Sequence, residues 1–289
     1  MIRVAIVLVL TATQLHAQDR LSIAAVNAPL ASFAETLGGD AVEVIYPVPE
    51  GADAAFWRPP IAVISEIQQA DIILLNGAEF AKWTAKTSLP RSRIVTTSAA
   101  FSDALIETTE GVTHSHGNEG EHSHTGLAAL TWLDFDQATR QAEAVAEAIV
   151  RKRPDLETPV AEALATLRAE LAALDARAIT LGGAFGETPI IALHSGYEYF
   201  VRAYDLNLRQ VTWPQGEDPD TAMLSDLEDL LADHPAKLAL WPDPPTKAAA
   251  EALESRGIPS VVLPTGANIK ADFVEAMTAG LDALEAAIP

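Results

Sequence analysis

The sequence predicts an α/β protein of two lobes, each a parallel-type sheet flanked by helices, with one long helix linking them. Three observations carry that expectation. Short apolar runs alternate with helix-length segments between residues 22 and 98, an Ala-, Glu-, Leu- and Arg-rich stretch fills the middle of the chain, and the alternation resumes at residue 189. Parallel strands need crossovers of helical length, so this alternation is how such a sheet reads in sequence. With 289 residues, 49% of them hydrophobic and 20% charged, the chain can bury a sizeable core and is too apolar for disorder.

The first element is not structural. MIRVAIVLVLTATQLHA (1–17) places Arg3 before an apolar run from Val4 to Leu10 and ends on the small Ala17. That is the pattern of a secretory signal peptide cleaved after residue 17, and it implies a periplasmic location. The run is too short to cross a bilayer, which takes about 20 residues. An N-terminal lobe then covers 18–135. SIAAV (22–26) reads as a strand, LASFAETL (30–37) as a helix closed by Gly38-Gly39, and VEVIYPV (42–48) as a strand. A helix (61–70), a strand (71–76), a helix (79–86) and a strand (93–98) follow. The linking segment, 136–183, is broken by Pro154 and Pro159; its stretch 160–181 has helical apolar spacing and a length of about 33 Å. The C-terminal lobe, 184–289, has strands at 189–195, 208–214, 237–243 and 259–265. Helices are expected near 197–205, 222–233, 245–256 and 271–287.

Charge and composition narrow the function. Nineteen basic residues against 40 acidic ones leave a net charge of −21. Nucleic-acid binding needs clustered Lys and Arg, so a cation is the more natural ligand. The chain has no Cys. Disulfides, thiolate metal sites and a lipid-modified cysteine anchor are therefore not expected, and any metal must be held by imidazole and carboxylate. Four of the seven His, namely His114, His116, His122 and His124, fall in GVTHSHGNEGEHSHTG (111–126), as two His-x-His pairs around Glu119 and Glu121. The stretch has no apolar period and reads as a loop whose imidazoles capture a divalent transition metal; the bland alternative is a solvated spacer.

Four segments, in order, carry a family resemblance: ISEIQQADIILLNGAEFAKW (64–83), TWLDFDQA (131–138), HSGYEYFVRAYDL (194–206) and GANIKADFVEAM (266–277). Together with the signal peptide, the long middle helix and the His-rich stretch after the fourth strand, they resemble the zinc and manganese solute-binding proteins of metal ABC importers (cluster A-I). The resemblance implies a two-lobed binder that holds zinc, or Mn²⁺ or another divalent transition metal, between its lobes on three His and one carboxylate. It also implies delivery of that metal to an ABC permease in the inner membrane, by a monomer without catalytic activity. Carried over position by position, the implied ligands are Asp53 in place of the first His, Leu130 in place of the second, His194 as the third, and Leu263 in place of the acidic fourth. Leucine cannot ligate a metal. Candidates to rebuild the set are Glu198, Asp134, Asp218 and Asp220, while Trp57, Trp132, Trp213 and Trp241 lie near strand ends, where an apolar wall would suit an organic ligand or a metal chelate.

Each candidate also has a plainer reading. His194 could be a hydrogen-bonded core histidine, but the C-terminal end of a parallel strand favours a ligand site. Asp53 could be an ordinary turn residue. His234, before Pro235, reads as structural at a helix end, and the Trp residues read more readily as core. Enzymatic readings find no support: the His-rich stretch lacks His-Glu-x-x-His spacing, there is no Gly-x-Ser-x-Gly elbow, and no phosphate-cradling Gly loop occurs. The runner-up is a binder that has lost the bare-ion site, taking another small ligand or a metal chelate in the cleft, or serving as an auxiliary chaperone through the His-rich stretch.

Overall fold

The computed structural model describes residues 20–108, 126–267, 269 and 272–288. The signal-peptide expectation and the four histidines of the His-rich stretch lie outside the described residues. β1 (Leu21–Ala25), β2 (Val42–Ile45), β3 (Ile72–Leu75) and β4 (Ile94–Thr96) form one all-parallel sheet in the order β2-β1-β3-β4. The two-residue strands β5 (Glu107–Thr108) and β6 (Gly126–Leu127), which the sequence reading did not assign, pair antiparallel. β7 (Ile190–Ala192), β8 (Leu208–Gln210), β9 (Leu238–Trp241) and β10 (Ser260–Val262) form a second all-parallel sheet, β8-β7-β9-β10. The two orders are the same pattern: second strand, first, third, fourth. Each sheet thus reverses winding between its first and third strands, the place where open α/β sheets bind ligands.

Alternation along the strands covers both faces of each sheet. In the first, Ile23, Ala25, Ile72 and Leu74 face the large core, while Ala24 and Ile73 face a smaller cluster with Ile67 and Leu89. In the second, Ile190, Ala192, Leu238 and Leu240 join the same large core, while Ile191, Leu193, Ala239 and Trp241 pack on Leu227 and Leu253. One apolar core therefore runs through both lobes.

The helices that fill this core have legible ends. α1 (Ala28–Gly38) starts at Asn27, whose Oδ1 accepts from Leu30 N at 3.0 Å, and stops at Gly39, with φ of 49°. α2 (Ile61–Gln69) follows Pro59-Pro60. The linking segment is two helices, α3 (Phe135–Lys152) and α4 (Glu157–Phe185). Pro154 opens the turn between them, and Pro159 sits in the first turn of α4, where its missing N–H is harmless. The 29 residues of α4 span about 44 Å. An Arg168–Glu143 ion pair ties its middle back to α3, as in a helical hairpin. α5 (Glu198–Tyr204), α6 (Thr221–Asp233), α7 (Lys247–Glu254) and α8 (Phe273–Glu285) complete the second lobe.

The helix expected over 79–86 does not form. Ala78, Glu79 and Ala81 have φ of 47°, 57° and 53°, and only Lys82–Lys86 coils, as a 3₁₀ turn. Left-handed backbone costs roughly 1–2 kcal/mol for each such residue. Burial offsets it: the turn sinks Ala78, Phe80 and Ala81 into the core, Phe80 edge-on to Trp132 at 5.5 Å.

Candidate metal centre

The C-terminal ends of both sheets open onto one cleft of about 460 Å³. The segment after β2 brings Glu50, Asp53 and Phe56; the left-handed turn after β3 brings Glu79, Phe80 and Lys82. From the second sheet come His194, Ser195 and Gly196 after β7, Gln215 after β8, Asp243 after β9, and Pro264 to Ala267 after β10. Leu127 to Leu130 close one side, and Glu198 contributes from the first turn of α5. The walls carry five carboxylates and one ammonium, with His194 the single imidazole among the described lining residues.

His194 is set up to offer a lone pair. Its Nδ1 lies 2.8 Å from Ser195 O. A carbonyl can only accept, so Nδ1 carries the proton and Nε2 is left as an acceptor or ligand, with the backbone carbonyl fixing the tautomer. Glu198 is half-buried, and its Oε1 accepts from Gln210 Nε2 at 3.2 Å. Asp53 is exposed; its Oδ1 accepts from Ala55 N at 2.9 Å, the turn role, while it also lines the cleft.

The two leucines part company. Leu130 lines the cleft, and its Cδ1 lies 2.6 Å from where a Cβ on Gly196 would stand. Gly196, at φ of 122°, admits Leu130 beside the histidine loop. Leu263 does not line the cleft: it is 1% exposed and packs towards Gly280 of α8, and its carbonyl accepts from the buried Tyr197 Oη at 2.6 Å. Pro264, Thr265 and Gly266 form the wall where the resemblance places a ligand.

Of the residues proposed to rebuild the set, Glu198 alone reaches the cleft. Asp134 caps α3, accepting from Asp136 N and Gln137 N, and Asp220 caps α6, accepting from Met223 N, so helix ends consume both. Asp218 is exposed and lies outside the lining. Trp132 is fully buried and donates to Thr265 O at 2.7 Å. Trp213 and Trp241 meet edge to face at 5.9 Å and line a side pocket of about 30 Å³ next to His194. Trp57 does not line the cleft. His234 is buried and bonds Ile190 O at 2.9 Å, a tie from the end of α6 to β7.

The first sheet's reversal point is plugged. Asn27, Asn76, Thr97, Thr131 and Gln141, all fully buried, form one hydrogen-bonded network. Asn76 Oδ1 accepts from Gln141 Nε2 at 2.9 Å, Thr131 Oγ1 at 3.2 Å and Asn27 Nδ2 at 3.5 Å, and Asn76 Nδ2 donates to Ala129 O at 2.9 Å. The network pins the 128–131 wall. Cross-lobe bonds brace the opposite wall: Tyr46 Oη donates to Ala267 O at 3.1 Å. Burial, with the Asp53 charge adding to it, pushes that phenol above its ordinary range and keeps it a donor.

A bare ion fits this donor set poorly. Among the described residues no three His, Asp or Glu side chains come together closely enough to hold a metal, whereas zinc is ordinarily four-coordinate. Sequence reasoning missed Glu50, Glu79 and Asp243; their signal was only a carboxylate shortly after a strand.

The comparisons with known proteins bear on what this cleft serves. The family described as zinc-uptake complex component A, periplasmic, matches residues 23–287. The chain belongs to this family. This zinc-uptake component is similar to the high-affinity zinc uptake system protein ZnuA of Bacillus subtilis, 23% identical over 288 residues, covering 92% of this chain and 87% of the relative. Its fold is similar to that of the metal-dependent lipoprotein YcdH of Bacillus subtilis, with a TM-score of 0.78 at 19% identity, over 93% of this chain and 100% of that one. It is also similar to the Zn(II)-bound ZnuA-like domain of Streptococcus pneumoniae AdcA, with a TM-score of 0.76 at 16% identity, over 93% and 99% of the two chains. At these identities the likeness to the solved structures is one of fold. No helix among the described residues is long and apolar enough to cross a membrane.

Proposed function

We propose that this zinc-uptake component works in the periplasm, after removal of residues 1–17, as the monomeric solute-binding protein of an ABC importer. It takes zinc as cargo and hands it to an inner-membrane permease. The observation that carries the reading is the cleft: His194, with its tautomer set by Ser195 O, faces carboxylates at the meeting point of two reversal-point sheets. The relatives' roles in zinc uptake support it. In this reading His194 and Asp53 contact the metal in the cleft, and His114, His116, His122 and His124 collect it from solution. The lobes move little, because one core runs through both of them. The protein is a binder, and no step of catalysis is assigned to it.

Zinc titration by calorimetry tests this on the full chain, on His194→Ala, and on a variant with the four histidines of 114–124 changed to Asn. The full chain should bind with a submicromolar dissociation constant, about −8 kcal/mol or stronger. His194→Ala should weaken binding by more than the roughly 10–100-fold that loss of an outer-shell partner costs. Undiminished binding by His194→Ala removes the cleft from the mechanism, and a full chain that binds no zinc ends the reading.

A further inference from the structure

We infer that the cleft takes zinc together with a small amino-acid ligand, as a mixed complex carrying net positive charge, and not as a bare ion. The inference rests on the zinc-uptake reading and specifies the form in which the cargo enters. Two independent features point the same way.

The first is the donor set. His194 supplies one imidazole nitrogen, and no three metal-binding side chains cluster among the described residues. A tetrahedral zinc ion held through His194 and a single carboxylate keeps two positions open. A bidentate amino acid fills both at once, through its amino nitrogen and a carboxylate oxygen.

The second is space. Four waters around an ion take up roughly 120 Å³ at about 30 Å³ each. The cleft measures about 460 Å³, within the roughly 300–1,000 Å³ typical of small-molecule sites. Its lining pairs carboxylates with apolar surface from Phe80, Leu127, Leu130 and Ile269. A bare ion has no use for that apolar surface, whereas the side chain of an amino acid does.

Charge then selects among complexes. Five carboxylates against Lys82 make the cleft strongly negative. The complex of Zn²⁺ with one histidinate has a net positive charge and suits it. The complex with citrate is net negative and is repelled.

The test uses the full chain with His114, His116, His122 and His124 changed to Asn, so that the cleft alone is read. Zinc is titrated by calorimetry alone, with equimolar L-histidine, and with equimolar citrate. The two models predict opposite signs. Free histidine buffers zinc and weakens apparent binding unless it enters the site. Cleft entry as a mixed complex should instead tighten apparent binding by about tenfold, roughly 1.4 kcal/mol. Citrate should weaken it, and His194→Ala in the same background should lose the histidine effect. Native mass spectrometry of the same four-histidine variant should show zinc and histidine bound together, one of each. If histidine weakens binding or leaves it unchanged, or if zinc binds without histidine in the mass spectrum, the mixed-complex inference is overturned and the zinc reading stands. If the unmodified chain binds zinc in neither form, both are overturned.

Discussion

Replacing Gln141 by Leu probes whether the buried amide network holds up the cleft wall. Gln141 is fully buried on α3. Its Nε2 donates to Asn76 Oδ1 at 2.9 Å and to Thr97 Oγ1 at 2.8 Å, and its Oε1 accepts from Thr131 Oγ1 at 3.2 Å. Leucine of similar size forfeits all three bonds. At roughly 0.5–1.5 kcal/mol net for each bond, the loss is about 1.5–4.5 kcal/mol. Asn76 Oδ1 keeps Thr131 and Asn27, and Thr97 Oγ1 keeps Leu75 O, so the partners are not fully orphaned and about 3 kcal/mol is expected. For a protein of this size that lowers the melting temperature by about 6–12 °C. Urea unfolding of Gln141→Leu, Thr97→Val and the double variant measures both the cost and the coupling. The pair should be non-additive by about 1 kcal/mol, as contacting groups are. Zinc affinity should fall as well, although Gln141 does not line the cleft, because Asn76 carries the constraint to Ala129 O. A cost below about 1 kcal/mol, with additive singles, would refute the idea that the network is structural.

Three further outcomes follow from single observations. Gly196→Ala places a Cβ 2.6 Å from Leu130 Cδ1 at a φ of 122°; it should cost roughly 1–3 kcal/mol in urea unfolding. Adding Leu130→Ala should return the steric part alone, so full recovery would exclude backbone strain. Asp134 has its carboxyl held above the usual range chiefly by burial, with the Gln137 N–H and Arg202 opposing. A raised folded value means that this group's contribution is most favourable below its unfolded value of about 3.9 and is lost as pH rises through the folded value. Asp134→Asn keeps an N-cap and removes the titration, so the variant's stability relative to the parent should improve from pH 3 to pH 7; a flat difference would contradict it. Arg168→Ala breaks an exposed pair with Glu143 and should change stability by less than about 1 kcal/mol. A larger loss would mean that the α3–α4 hairpin depends on surface charge more than on its buried side chains.

The element order was readable from sequence because apolar period and turn chemistry are local. Gly38-Gly39 announces a helix end, and eight apolar runs the eight parallel strands. Strand ends were misjudged in one direction: the runs at 189–195, 208–214 and 237–243 continue past the last paired residues, Ala192, Gln210 and Trp241. The continuation is apolar because Leu193, Trp213 and Pro242 stay buried after the ladder stops, and His194, Gln215 and Asp243 just beyond them line the cleft. The left-handed turn at 78–81 was unreadable for a related reason, since no local preference calls for it and only the burial of Phe80 sustains it.

By itself, the sequence determined the α/β class, the split into two runs of parallel strands, an acidic chain built for a cation, and His194 and Asp53 as residues of one cleft. Tertiary structure decided the rest. It made the two strand orders identical, turned Leu263 into the core while leaving Leu130 on the wall, spent Asp134 and Asp220 on helix ends, and brought Glu79, Glu198 and Asp243 to face His194. The physical reason is that period and capping act over a few residues, whereas a ligand cleft is made by side chains that follow six different parallel strands and meet only once both sheets are packed on a shared core.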